Sequence, residues 1–285
     1  MRDAVARLAA ELEDAGYLTD EALATALFLA VELRQPILLE GEPGVGKTEA
    51  AKALSRALDT KLIRLQCYEG LSSADALYEW NYPRQLLGIR LAEVRGEALS
   101  EADLFSDDYL LARPLLAAIE HPGPRPAVLL IDEVDRADDE FEAFLLELLA
   151  EATVSIPELG TRRAVVPPIA VLTSNRTREL HDALKRRCLY QWIAHPDAGR
   201  VAAIIRLRVP AAEDWLAERV ARSVQRLRGL DLAKPPGVAE AIDWAAALHA
   251  LGVRELDGTA ARHTVSAVLK YEEDRAVAEA AGGWW

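Results

Sequence analysis

Cysteine is scarce in this chain, long apolar runs are missing, and positive charge is not in excess. Only Cys67 and Cys188 occur among 285 residues, too few for a disulfide framework or a thiolate metal site. No apolar run approaches the ~20 residues that span a bilayer. Met1-Arg2-Asp3 opens a charged helical pattern rather than the apolar segment of a secretory signal, so the expected setting is soluble and cytoplasmic. A formal charge of −13 disfavours a nucleic-acid backbone as partner, because such partners are met by a net basic face. There is no useful internal repeat. About half the residues are apolar, which excludes a disordered chain and is enough for one large core and a smaller domain.

Two short segments carry the chemistry. The first is Gly41-Glu42-Pro43-Gly44-Val45-Gly46-Lys47-Thr48, set between the apolar run Pro36-Ile37-Leu38-Leu39 and an alanine-rich helical stretch, Glu49 to Leu58. A glycine-rich loop between strand and helix turns backbone N–H groups onto the β- and γ-phosphates of a nucleotide. Lys47 adds a positive charge there and the Thr48 hydroxyl is a ligand for Mg²⁺. The second segment is Ala127-Val128-Leu129-Leu130-Ile131-Asp132-Glu133. A wholly apolar strand that ends in two carboxylates presents them at its C-terminal tip, where open α/β sheets hold ligands. Asp132 is expected to hold Mg²⁺, usually through water, and Glu133 to polarise an attacking water, which points to hydrolysis rather than phosphate transfer.

Strand patterns at 36–40, 61–66, 127–132, 169–174 and 189–193 with helices between them predict a doubly wound α/β core. Helices are expected over 1–15 and 20–33 ahead of it. The second and third strands lie 60 residues apart, where one crossover helix needs ~10–15. An insert is therefore expected over about 68–126, with the aromatic stretch Tyr78-Glu79-Trp80-Asn81-Tyr82-Pro83 and helical patterns near 85–98 and 108–120. The alternation of Tyr78, Trp80 and Tyr82 puts them on one face of a strand, either as an apolar grip on a partner or as core. A hairpin is expected after a helix over 139–152, from 154–156 and 163–166, within an insert of about 153–167. From Asp197 the pattern turns helical over 197–208, 211–228, 238–250 and 257–280, a separate lid-like domain, and Gly282-Gly283-Trp284-Trp285 read as a mobile tail. The domain division is thus 1–196, 197–280 and a tail over 281–285.

Asn175 follows the fourth strand and is suited to positioning water or touching the γ-phosphate. Arg186 and Arg187 precede the fifth strand, and an arginine offered across a subunit boundary stabilises charge on a transferring phosphoryl group. The Asn-Lys-x-Asp tetrapeptide of guanine recognition is missing, so ATP is the expected nucleotide.

Taken together these features resemble the AAA+ ATPases: a P-loop AAA+ doubly wound parallel five-stranded sheet plus a C-terminal all-helical lid domain. The insert before Asp132-Glu133-Val134-Asp135-Arg136-Ala137 and the hairpin after the next helix resemble the MoxR family. The stretches Leu62 to Gly70 and Leu77 to Leu87 resemble its CoxD-type subgroup. The resemblance implies a hexameric ring with ATP and Mg²⁺ between subunits, a von Willebrand factor A-domain (VWA) partner, and a metalloenzyme client of the molybdenum-hydroxylase, carbon monoxide dehydrogenase type. Residue by residue it implies Walker A roles for Lys47 and Thr48, Walker B roles for Asp132 and Glu133, sensor 1 for Asn175 and the trans finger for Arg187, with Arg186 beside it. Arg136 is implied to face a neighbouring subunit. The family's sensor 2 arginine has no counterpart where it is expected: Pro236-Gly237-Val238-Ala239 stand there, and Arg254 and Arg262 are weak substitutes. That gap keeps open a nucleotide-dependent scaffold with little turnover, and a P-loop phosphotransferase is the other alternative.

Overall fold

The computed structural model describes residues 2–285. Along the chain run α1 (Arg2–Asp14), α2 (Glu21–Leu33), β1 (Ile37–Glu40), α3 (Lys47–Ala57), β2 (Leu62–Gln66), α4 (Ser73–Leu77), β3 (Tyr78–Trp80), α5 (Tyr82–Arg95), α6 (Glu101–Leu104), β4 (Leu110–Ala112) and α7 (Pro114–Ile119). There follow β5 (Val128–Asp132), α8 (Asp139–Glu151), β6 (Thr153–Ile156), β7 (Gly160–Arg163), β8 (Ile169–Ser174), α9 (Asp182–Arg187) and β9 (Leu189–Trp192). The remainder is helical: α10 (Ala198–Arg208), α11 (Asp214–Arg228), α12 (Val238–Ala250), α13 (Gly258–Val268) and α14 (Glu272–Ala281).

The central sheet has the order β2-β5-β8-β1-β9, and every pair in it is parallel. Its inner strands β5, β8 and β1 are buried along their whole length because helices cover both faces. Alternate residues divide between two cores. Ile37, Leu39, Val128, Leu130 and Val171 pack with Leu12, Leu27 and Leu54 of α1, α2 and α3 on one face. Leu38, Ile63, Leu65, Leu129, Ile131 and Leu172 pack with Leu115, Leu116, Phe141 and Leu145 of α7 and α8 on the other. Each such leucine, isoleucine or phenylalanine removed from water stabilises the fold by about 1.5–3 kcal/mol. The chain passes from β1 to the far edge strand β2, so β1 and β8 flank a point where the winding reverses, and the crevice for a ligand opens at their C-terminal ends.

The five expected strands fall within a residue of their places. The insert differs from expectation. Part of the 108–120 stretch is strand, since Leu110–Ala112 pairs antiparallel with Tyr78–Trp80; Asp107–Tyr109 before it is a 3-10 turn and only Pro114–Ile119 is α-helix. Tyr82 does not continue the aromatic alternation. It opens α5, which Asn81 caps by accepting from Arg84 N with a proline in the first turn. Trp80 is core, 7% exposed and edge-on to the Phe105 ring at 5.0 Å, while Tyr82 is exposed. The three aromatics therefore do not form a common gripping face.

The hairpin forms from Thr153–Ile156 and Gly160–Arg163, its second strand three residues earlier than expected and followed by Pro167-Pro168, which no ladder accommodates. The last expected helix is two, parted at Leu269-Lys270-Tyr271. Helices α10 to α14 share a core of their own around Trp244, Val220, Val224 and Leu248. Trp284 belongs to that core, 4% exposed and 5.7 Å from the Trp244 ring. Arg226 Nη1 donates to Gly283 O and Trp285 O at 3.1 and 3.0 Å. The expected mobile tail at 281–285 is instead packed, because two tryptophans remove more apolar surface from water than a short segment loses in freedom.

Candidate nucleotide site

The buried strand β1 delivers the chain into the loop Gly41–Gly46, and α3 begins directly at Lys47. Gly46 takes φ +101°, a left-handed geometry that glycine adopts without strain, and this turns the loop into the first helical turn. The Lys47 ammonium is buried and donates to Gly41 O at 2.6 Å and Glu42 O at 2.8 Å. Burial pushes its pKa below the ordinary lysine value, against the pull of Asp135, Asp132, Glu42 and Glu133.

At the tip of β5, Asp132 is 2% exposed. Thr48 Oγ1 donates to its Oδ1 at 2.9 Å, which closes an 84-residue gap in sequence to a single hydrogen bond. Glu133 takes φ 56° and ψ 50°, a conformation rare for a residue with a Cβ. Its backbone N donates to Thr173 Oγ1 at 2.9 Å, and Thr173 Oγ1 donates to Asp132 Oδ1 at 2.6 Å. Thr173 thus ties the two carboxylate residues to the neighbouring strand. Asn175, one residue beyond β8, donates from Nδ2 to Glu133 Oε1 at 3.4 Å, and its backbone N donates to the buried Asp135 at 3.2 Å. Gln66 Nε2 and Arg136 Nη1 reach Glu133 Oε2 at 3.0 and 3.3 Å.

These groups line a cavity of about 530 Å³, a common size for a small-molecule or cofactor site. Gly44, Val45, Gly46, Lys47, Thr48, Asp132, Glu133, Thr173 and Asn175 form its polar end. Tyr17, Leu18, Ile193, Pro196, Val238 and Ile242 supply its apolar lining. Thr48 and Asp132 offer hard oxygen donors side by side, the type Mg²⁺ takes. Among the described residues no cluster of three His, Cys, Asp or Glu could hold a metal alone. The donor set therefore fits a cation that brings waters and phosphate oxygens with it.

Arg186 and Arg187, on the last turn of α9, do not line this cavity. Both are exposed, and Arg187 Nη1 donates to Leu146 O at 2.6 Å. Arg254 and Arg262 are also exposed and outside it. Where a sensor 2 arginine was expected, the start of α12 lies against the P-loop by backbone alone. Val238 N donates to Gly44 O at 2.9 Å. A Cβ on Gly237 would stand 2.7 Å from Gly44 Cα, so both glycines are needed for this approach.

Several site residues have no sequence motif. His195 lines the cavity, and its pKa lies below the ordinary histidine value through burial first and Arg228 second. Arg200 and Arg208 of α10 also line it; one donates to Leu18 O at 2.7 Å and the other to Glu49 Oε1 at 3.3 Å. Arg64 of β2 is paired with Asp132.

Fold and site together define an AAA+ protein. The chain belongs to the AAA domain family of the dynein-related subfamily, whose model matches residues 36–188, more than half of its length. Among curated relatives, a Lon protease of Halothermothrix orenii is 33% identical over 129 residues, 42% of this chain and 13% of that protein. The chain thus spans about an eighth of the length of such relatives. An uncharacterized protein of Staphylococcus aureus is 25% identical over 211 residues, 72% of each chain. Among solved structures, the RuvB Holliday junction branch migration motor of Thermotoga maritima superposes with a TM-score of 0.51 at 19% identity, over 87% of this chain and 69% of that one. A mutant of the same RuvB reaches a TM-score of 0.53. This likeness is one of fold. No helix among the described residues is long and apolar enough to cross a membrane.

Proposed function

We propose that the protein hydrolyses ATP in a homo-oligomeric ring, of six subunits by its MoxR-like layout, and uses the cycle to remodel a client protein. The observation that carries this reading is the convergence of Lys47, Thr48, Asp132, Glu133 and Asn175 on one cavity while Arg186 and Arg187 lie exposed outside it. The P-loop from Gly41 through Glu42, Pro43, Gly44, Val45 and Gly46 cradles the triphosphate, and Lys47 neutralises its β- and γ-oxygens. Glu133, fixed at its backbone by Thr173 and at its side chain by Asn175, both from the β8 side, accepts a proton from the attacking water. Mg²⁺, held by Thr48 and Asp132, supplies neutralisation of charge on the phosphates when bound. The apolar wall from Tyr17 to Ile242 takes the adenine base.

The arginines near the site are already engaged, Arg200 with Leu18 O, Arg208 with Glu49, Arg64 with Asp132 and Arg136 with Glu133; a further arginine for the γ-phosphate is then supplied by a second copy, through Arg187 or Arg186 beside it. The finer assignment follows from the sequence resemblance: a CoxD-type MoxR protein in the cytoplasm, working with a VWA-domain partner on a molybdenum-hydroxylase client of the carbon monoxide dehydrogenase type. The acidic balance of the chain supports a protein client over a nucleic acid.

The test mixes two inactive variants. Glu133→Gln lacks the base but keeps its arginines; Arg187→Ala keeps the base but lacks the finger and is expected to lose roughly a thousandfold in turnover. Mixed at ring-forming concentration, checked by light scattering, they should recover a measurable share of the wild-type rate, because one subunit completes the site of the next. No recovery from that mixture or from Glu133→Gln with Arg186→Ala, together with wild-type turnover by a monomer, would overturn the ring reading.

A further inference from the structure

Asp132 is the most heavily engaged side chain of the site. Its Oδ1 accepts from Thr173 Oγ1 at 2.6 Å and Thr48 Oγ1 at 2.9 Å. Its Oδ2 accepts from Arg64 Nη2 at 2.6 Å and Arg64 Nε at 3.1 Å, with Thr48 Oγ1 a further 3.2 Å contact. A carboxylate has about four lone-pair directions, and here they are filled. Thr48 and Thr173 stand on the cavity wall, whereas Arg64 reaches in from the edge strand β2, is 46% exposed and does not line the cavity. A buried carboxylate with no cation beside it is costly. Lys47 does not fill that role directly, because its ammonium is folded onto Gly41 O and Glu42 O. Among the described residues Arg64 is the ion-pair partner of Asp132.

We propose that Arg64 is a stand-in cation for Mg²⁺: it holds Asp132 Oδ2 while no metal is bound and is displaced when Mg²⁺ arrives with the nucleotide. The proposal rests on the reading of this cavity as a Mg²⁺-nucleotide site. Guanidinium and metal, the latter directly or through its water, would compete for one carboxylate, so Arg64 raises the Mg²⁺ concentration at which the metal–nucleotide complex is held and favours its release. The half-exposed guanidinium has water to go to, so its departure is cheap compared with that of Thr173 or Thr48. It also leaves a mark on Glu133. Arg64 Nη2 donates to Gln66 Oε1, and Gln66 Nε2 donates to Glu133 Oε2 at 3.0 Å. When Arg64 moves out, Gln66 loses its anchor and the hold on Glu133 slackens at the moment the metal is in place. Arg64 acts through Asp132 and Gln66, and is a positioning residue.

The experiment titrates Mg²⁺ against a fixed concentration of a fluorescent ADP analogue bound to the full chain, for wild type, Arg64→Gln and Arg64→Lys, with melting temperature recorded for each. Arg64→Gln should lower the Mg²⁺ midpoint by about fivefold, the worth of a partly exposed ion pair. Arg64→Lys should fall between, since a lysine keeps the charge but not the two-pronged grip. In EDTA the metal-free analogue should bind Arg64→Gln no more tightly than wild type, because a positive charge has been removed. Equal midpoints in wild type and both variants would overturn the proposal, as would a higher Mg²⁺ requirement in Arg64→Gln, or a gain in affinity of the same size without metal. If Arg64→Gln does not fold, the Arg64→Lys midpoint decides alone. Binding of no analogue by any of the three proteins would overturn the nucleotide reading beneath it and the proposal with it.

Discussion

The two ends of the cavity are built on different principles. At the sheet tips, Lys47, Thr48, Asp132, Glu133, Thr173 and Asn175 are held by side-chain hydrogen bonds from three strands and one loop, so each charge is already oriented before a ligand arrives. At the other end, Tyr17, Ile193, Pro196, Val238 and Ile242 supply shape, and α12 meets the P-loop through one backbone hydrogen bond, Val238 N to Gly44 O, beside the close approach of Gly237 to Gly44. The first end is a pre-set electrostatic device. The second is a wall of apolar side chains that would meet a ligand by shape rather than by charge.

That contrast can be broken from the polar end first. Glu133→Gln should lower ATP turnover roughly a thousandfold while leaving nucleotide affinity near the wild-type value, measured by steady-state turnover beside equilibrium binding. A parallel loss of affinity would mean that Glu133 shapes the cavity rather than acting on water. Next in size, Gly237→Ala drives a Cβ to 2.7 Å from Gly44 Cα and 2.8 Å from Glu240 Oε2. Overpacking of this kind costs about 1–3 kcal/mol, read as a lower melting temperature together with weaker nucleotide binding. An unchanged melting temperature would show that α12 docks more loosely than the glycine contact implies.

The smallest expected effect is a pH dependence at the seam. His195 is held neutral in the folded chain by burial and then by Arg228, with Lys47 adding to them and Glu42 and Glu240 opposing. Its folded pKa is depressed, so the stability it contributes is present above the unfolded value of about 6.5 and is lost as pH falls through the lower folded value. Between pH 7.5 and 5 the nucleotide-free wild type should lose more in melting temperature than His195→Gln. Parallel curves for the two proteins would remove His195 from the account.

The polar end was legible in the amino-acid pattern because phosphate chemistry demands glycines, a lysine and a hydroxyl in consecutive places, and because a strand buried on both faces reads as an unbroken apolar run. The strands at 37–40, 128–132 and 169–174 are of that kind. What escaped was whatever depends on strand order. Arg64 and Gln66 sit on an edge strand whose outward residues look like ordinary solvated positions, and only the parallel register of Gln66 against Asp132 brings them to the site. Thr173 was read merely as part of an apolar strand. Tyr17 and His195 meet because the loop after α1 and the segment after β9 close over the same cavity, a juxtaposition no local pattern records. In the insert, Leu110-Leu111-Ala112 has the composition of a helix, and its pairing with Tyr78–Trp80 overrides that propensity.

The left-handed backbone at Glu133 sets evolution at odds with itself. A glycine there would adopt φ 56° without strain and relieve the chain of about 1 kcal/mol, so a search for thermal robustness alone would erase the side chain proposed to take a proton from water. A carboxylate at such a position is held in spite of the local backbone preference rather than because of it.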